Sequence, residues 1–168
     1  YENDGAANPS WTKSDIDTSA DGARNLHVAD MDGDGDLDIV AASAGDDTIA
    51  WYENDGAANP SWTKSVIDSS LDAALSVYPA DLDGDGDLDI VSASAFDNTI
   101  AWYQNDGAAD PSWSGTDITT SAIGARDVFV GDMDGDGDLD IVSASVDDDT
   151  LAWYEADWTT SSTSSVTG

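Results

Sequence analysis

Residues 30–38 read DMDGDGDLD, and nearly the same nine residues return as DLDGDGDLD over 81–89 and DMDGDGDLD over 132–140, each 51 residues after the last. Every copy carries carboxylates at its first, third, fifth, seventh and ninth positions. They are Asp30, Asp32, Asp34, Asp36 and Asp38; Asp81, Asp83, Asp85, Asp87 and Asp89; and Asp132, Asp134, Asp136, Asp138 and Asp140. Aspartate is a poor helix former and a good turn residue, so the stretch reads as a loop. The glycine at position 6, Gly35 in the first copy, permits a sharp bend that a side chain would obstruct. Two carboxylates about 5 Å apart repel by roughly 3 kcal/mol at an effective dielectric near 20. Five of them within nine residues therefore ask for a cation. Calcium takes six to eight hard oxygen ligands in flexible geometry, which alternate side chains and one backbone carbonyl of position 7 can offer; magnesium prefers a compact octahedron with several waters. The expectation is about one calcium ion per copy, three per chain, with these fifteen aspartates as ligands and the ion acting as a structural staple.

Outward from the loop, the rest of the chain keeps the same period. Trp-Tyr recurs at Trp51-Tyr52, Trp102-Tyr103 and Trp153-Tyr154, and YENDGAANPSWTKS stands at residues 1–14 and again at 52–65. A looser copy, YQNDGAADPSWSG, begins at Tyr103. Three repeats, about 1–51, 52–102 and 103–153, make one unit over residues 1–157. Residues 158–168 form a Ser/Thr-rich tail, read either as a linker or as an outer strand.

Each repeat reads as four strands. In the first these are Arg24–Ala29, Asp38–Ser43, Thr48–Tyr52 and Ser61–Asp68, with a tight turn at Gly45–Asp47 and turn chemistry over Asn54–Pro60. No twelve-residue window has helical periodicity. Four strands per 40–50 residues, graded from apolar to polar, predict an all-β fold: a propeller of four-stranded antiparallel blades, apolar strands inside and the polar fourth strand at the rim. Three blades leave two open faces, so the ring is expected to close by oligomerisation. Two copies give six blades, within the usual range of roughly four to eight.

Charge narrows the function. The chain has 36 acidic residues against 4 Lys and Arg, a formal net charge of −32. That excludes nucleic-acid phosphates and an anionic membrane as partners. The 40% of hydrophobic residues, with 7 Trp and 5 Tyr, supply a core that a disordered acidic tail would lack. With 0 Cys there is neither a disulfide nor a cysteine zinc site. No apolar run reaches the roughly 18 residues of a membrane span. The chain shows no signal peptide and does not open on Met, so it reads as a mature or trimmed piece. The aspartate excess suits a saline, calcium-containing exterior, so a secreted or cell-surface location is expected.

The loop is not that of an EF-hand, which needs Glu at position 12 and flanking helices. Position 12 is Ala41, Ser92 or Ser143, and each copy runs on as a strand. Together with Ile39-Val40, Ile90-Val91 and Ile141-Val142 and the Trp-Tyr-Glu/Gln-Asn-Asp-Gly turns, the loops resemble those of the FG-GAP/VCBS repeat family, the blades of integrin-α-type propellers. The resemblance spans all three repeats. It implies calcium-bearing β-propellers, commonly of about seven blades, that serve as extracellular adhesion, lectin or accessory modules, with the ligand role falling on the aspartates named above.

The remaining residues have plainer roles. Trp51, Trp102 and Trp153 are expected to pack between blades. Trp11, Trp62 and Trp113 open the outer strands; they either cap the blade edge or, as in a lectin, stack on sugar rings. His27, the single histidine, aligns with Tyr78 and Phe129 and should fill a semi-buried aromatic slot. Arg24 and Arg126 are placed to pair with Asp21, Asp127 or a neighbouring blade, and Lys13 and Lys64 read as rim charges. With the aspartates committed to metal, no Cys nucleophile and no phosphate-cradling Gly loop, the chain is read as non-enzymatic. It is a binding, adhesion or assembly module, most simply a homodimer, with a glycan or cell-surface ligand; the alternatives are a carbohydrate-binding propeller or an accessory fragment of a larger secreted protein.

Overall fold

The computed structural model describes residues 2, 3, 5, 8 and 10–158. Within them lie thirteen strands and no helix. They are β1 (Glu2–Asn3), β2 (Trp11–Thr12), β3 (Ala23–Ala29), β4 (Asp38–Ser43), β5 (Thr48–Asn54), β6 (Trp62–Asp68), β7 (Ala74–Ala80), β8 (Asp89–Ser94), β9 (Thr99–Asn105), β10 (Trp113–Thr119), β11 (Ala125–Gly131), β12 (Asp140–Ser145) and β13 (Thr150–Tyr154). The four strands expected in the first repeat are met to within two residues at each end, and the second repeat has four as well; the third has three among the described residues.

The strands form antiparallel meanders. Blade 1 has the order β3-β4-β5-β6 and blade 2 is β7-β8-β9-β10, while blade 3 contains β11-β12-β13 among the described residues. β1 and β2 form a separate two-stranded hairpin. This hairpin is the outer half of a further blade, because Asn3 faces Trp11 just as Asn54 faces Trp62 and Asn105 faces Trp113. The three blades are an arc of a propeller and do not close into a ring.

The core lies between blades. Val40, Ile49 and Trp51 of blade 1 meet Val77, Ile90 and Tyr103 of blade 2. Val91 and Ile100 of blade 2 meet Val128, Val130 and Ile141 of blade 3. All six residues of β8 are buried, because both faces of the middle blade are covered. That is why burial along β8 does not alternate, whereas β3, on the uncovered face of blade 1, alternates between exposed and half-buried residues.

Two bulges recur and re-aim side chains. In each outer strand an isoleucine is the extra residue, and Ile67 and Ile118 are turned into the two inter-blade clusters. In each inner strand the extra residue is Arg24, Leu75 or Arg126. The bulge leaves both arginines exposed, and the ion pairs among the described residues join Lys13 to Asp15 and Lys64 to Asp17, so the expected arginine pairings do not form. Lys64 in turn is more than a rim charge: it binds Asp17 at 3.0 Å and lies 5.6 Å from the Tyr52 ring centroid.

His27, Tyr78 and Phe129 do share one slot. The rings meet edge-on or tilted from blade to blade, with centroids 4.8 and 4.7 Å apart. Trp51 is buried between blades and Trp102 half-buried, as expected, whereas Trp153 on the open face of blade 3 is exposed.

Candidate metal centres

Each acidic loop joins the first two strands of a blade, and its conformation is set by backbone demands that repeat every 51 residues. Gly35, Gly86 and Gly137 take φ of 95°, 101° and 103°, a region that a side chain resists. Their amides donate to the carboxylates of Asp30, Asp81 and Asp132 at 3.0, 3.1 and 3.2 Å. The amide two residues after each middle carboxylate donates back to it, as from Asp34 to Asp32 at 3.2 Å and from Asp36 to Asp34 at 2.8 Å. The loops are thus held in one conformation by amides that donate to their own carboxylates.

The ninth residue of each loop has a second task. Asp38, Asp89 and Asp140 are almost wholly buried. Asp38 accepts the Met31 amide at 3.1 Å and the Asn54 amide at 2.9 Å. Asp89 accepts Leu82 and Asn105 at 3.2 and 2.9 Å, and Asp140 accepts Met133 and Ala156 at 3.0 and 2.9 Å. One carboxylate therefore staples the start of the loop to the end of the third strand. The seventh residue turns outward to the turn that follows that strand. A β-carbon on Gly56 would run into Asp36 Oδ2, and one on Gly107 into Asp87 Oδ2. In the third repeat the Trp158 amide donates to Asp138 at 3.4 Å.

Three carboxylates per loop converge. Oxygen atoms within 4.8 Å of one another come from Asp30, Asp32 and Asp38; from Asp81, Asp83 and Asp85; and from Asp132, Asp134 and Asp136. Asp34 and Asp36 stand outside the first group, Asp87 and Asp89 outside the second, and Asp138 and Asp140 outside the third. Two loops hold an orphan: Asp30 Oδ1 and Asp81 Oδ1 are buried and have no hydrogen-bond partner. A buried carboxylate oxygen without a donor is costly, and a hard divalent cation is the partner that an all-carboxylate donor set suits. The third loop is different. Its group is exposed, and Asp132 spends its oxygens on the amides of Gly135 and Gly137 at 2.7 and 3.2 Å.

The electrostatics agree with a site short of positive charge. Burial pushes the Asp32 carboxyl up, and the charges of Asp38, Asp34 and Asp30 add to it against the bond from the Asp34 amide. Burial likewise raises Asp89 to about 6, with the charge of Asp83 contributing. Asp140 goes the other way: at the open edge of blade 3 the Ala156 amide, followed by the Met133 amide, holds it below the ordinary range.

Sequence reasoning missed Glu53. Burial raises its carboxyl, and so do the charges of Asp32 and Asp38. Its counterpart Gln104 donates to Asp83 Oδ2 in the second. The signal was a polar residue after each Trp-Tyr, but only the fold shows that this strand end lies over the loop.

Trp62 is half-buried against Ala41, Ala50 and Tyr52, and Trp113 packs on the cluster between blades 1 and 2. Trp113 thus packs between two blades and Trp62 on the face of its own blade, while Trp11 is exposed.

The chain matches the FG-GAP-like repeat family over residues 30–92 and 81–143, each match spanning two of the acidic loops. It belongs to that family of propeller-type repeats, which is generally non-enzymatic, typical of extracellular proteins and associated with binding and adhesion. No curated protein sequence matches the chain significantly. No helix among the described residues is long and apolar enough to cross a membrane.

Proposed function

We propose that the chain is a non-enzymatic, calcium-stabilised extracellular propeller segment, serving as a binding, adhesion or assembly module. The observation that carries this reading is the pair of orphaned buried oxygens, Asp30 Oδ1 and Asp81 Oδ1, on residues whose carboxylates converge with two others of the same loop. The side chains at positions 1, 3, 5 and 9 of each loop would hold the ion, with position 7 contributing its carbonyl. Bound calcium supplies positive charge that offsets the mutual repulsion of the loop carboxylates. The loop residues then fix the first two strands of each blade at a constant angle. Isothermal calorimetry with calcium tests the reading. Two tighter sites and one weaker site are expected, the weaker in the exposed third loop; absence of calcium binding at millimolar concentration refutes it.

A second reading, carbohydrate binding at the rim, is favoured by one feature. A polar cleft of about 320 Å³ beside Trp113 is lined by Asp85, Gln104, Asn105, Asp106, Ser112 and Ser114. These groups could bond sugar hydroxyls while Trp113, and its counterparts Trp62 and Trp11, offer ring faces. Retention on a glycan array in calcium, lost in Trp113→Ala, supports this reading; no retention removes it.

A further inference from the structure

The residue after the Trp-Tyr pair differs between the first two repeats, Glu53 in one and Gln104 in the other, while the bonds that hold it in place recur. In both repeats the next residue pins the strand end to the acidic loop. The Asn54 amide donates to Asp38 at 2.9 Å, and its side chain donates to the Leu37 carbonyl at 3.0 Å. The Asn105 amide donates to Asp89 at 2.9 Å, and its side chain donates to the Leu88 carbonyl at 3.1 Å. The turn that follows is shared too: the Gly56 and Gly107 amides close on Asn54 Oδ1 and Asn105 Oδ1 at 3.1 and 3.0 Å. Glu53 faces Thr63 across β6 as Gln104 faces Ser114 across β10. The two residues therefore stand at one place relative to their loops.

In the second repeat that place is beside the third position of the loop. Gln104 Nε2 donates to Asp83 Oδ2 at 2.5 Å, and Gln104 lines one cleft with Asp85. Asp83 and Asp85 both belong to the converging carboxylates. The amide thus occupies an oxygen of that group and brings no charge to it. Glu53 has the same length and is half-buried, but a carboxylate only accepts. It cannot donate to Asp32 as Gln104 donates to Asp83. The negative charges of Asp32, Asp38 and Asp34 all act on it. A further carboxylate beside the group formed by Asp30, Asp32 and Asp38 adds repulsion that a cation relieves.

We infer that the residue after the Trp-Tyr pair sets the calcium affinity of its loop. Glu53 makes the first site the tighter one by adding a negative oxygen donor beside Asp32, and Gln104 weakens the second by holding Asp83. The affinity of a calcium site follows the charge count of its ligands and its rigidity. The two loops therefore fill in order as calcium rises, the first before the second. The inference rests on the calcium reading above, whose failure would show separately, as absence of calcium binding by the parent chain.

Exchanges between Glu and Gln keep the shape of the side chain and change its charge, so they test the inference directly. A calcium titration followed by NMR through the Gly35 and Gly86 amides reads the two loops separately in one chain. The parent is expected to saturate first at Gly35. Glu53→Gln should weaken the first site about tenfold and Gln104→Glu strengthen the second by a similar factor, each leaving the other loop unmoved. Thermal melts separate this role from a structural one. Without the ion Glu53 only repels its neighbours, so in EDTA Glu53→Gln should melt no lower than the parent, while calcium should raise its midpoint less. Three results would each overturn the inference: two loops of equal affinity in the parent, affinities unmoved by either exchange, or a Glu53→Gln variant that melts lower in EDTA and gains as much from calcium as the parent.

Discussion

The Tyr103 hydroxyl donates to Asp68 Oδ2 at 2.8 Å, across the boundary between the third strand of blade 2 and the end of the outer strand of blade 1. The bond recurs 51 residues earlier, from Tyr52 to Asp17, again at 2.8 Å. Each aspartate also accepts the amide and hydroxyl of the serine two residues on, Ser19 or Ser70, at 2.7 Å. A local turn thus aims a carboxylate that latches the next blade. Removing the phenol leaves Asp68 without its inter-blade donor, so Tyr103→Phe should cost about 1–2 kcal/mol, read by urea denaturation. An unchanged midpoint would show that the latch carries no stability. The third repeat has Thr119 where the aspartate would stand, and Tyr154 makes only a 3.3 Å contact with Ser143. Thr119→Asp should therefore add about 0.5–1 kcal/mol; a loss would show that repulsion from the surrounding acid outweighs the bond.

The latch also predicts a pH dependence. Ser19, then Lys64 and Tyr52, hold the Asp17 carboxyl well below the usual carboxylate range. Asp68 is lowered too, since Ser70 and Tyr103 outweigh its burial. A depressed folded value means that the contribution is fully present above the unfolded value of about 3.9. It is lost as the pH falls through the folded value. Asp17→Asn should therefore be less stable than the parent at neutral pH, with the gap narrowing between about pH 4 and pH 2. Thermal melts across that range check it, and a constant gap would contradict it.

Gly56 is needed twice over. Its φ is 67°, and the Asp36 carboxylate occupies the space of a β-carbon. Gly56→Ala should strain the turn by about 1–2 kcal/mol and, by displacing Asp36, weaken calcium at the first loop while leaving the second unaffected. Calorimetry on the variant reads both. Full affinity at all sites would show that the turn and the loop are uncoupled.

Much of this was legible because the sequence repeats itself. Asp38–Ser43 was predicted to the residue, since the loop aspartate and the turn bracket it. The bend at Gly35 followed from the need for a sharp turn at the sixth position of the loop. The division of labour within a loop did not. Asp36 and Asp38 are the same residue type two apart, yet one meets the turn at Gly56 and the other is buried beneath the Asn54 amide. Only the path of β5 decides that. Asp17 with Tyr52 was equally hidden, because the partners are 35 residues apart in different blades. Lys64 looked like a rim charge because its partner, Asp17, comes from the segment between β2 and β3, outside the strands of its own sheet.

The most direct test of the account is a thermal melt of the chain in millimolar calcium and in EDTA. Extracellular modules bind calcium at roughly 10⁻⁴–10⁻³ M. At about ten times the dissociation constant each of the two tighter sites adds roughly 1.4 kcal/mol, roughly 3 kcal/mol together, and the weaker third loop adds less. For a domain of this size that raises the midpoint by on the order of 10 °C. The account predicts such a rise with calcium and little with magnesium at the same concentration; equal midpoints in calcium and in EDTA would contradict it.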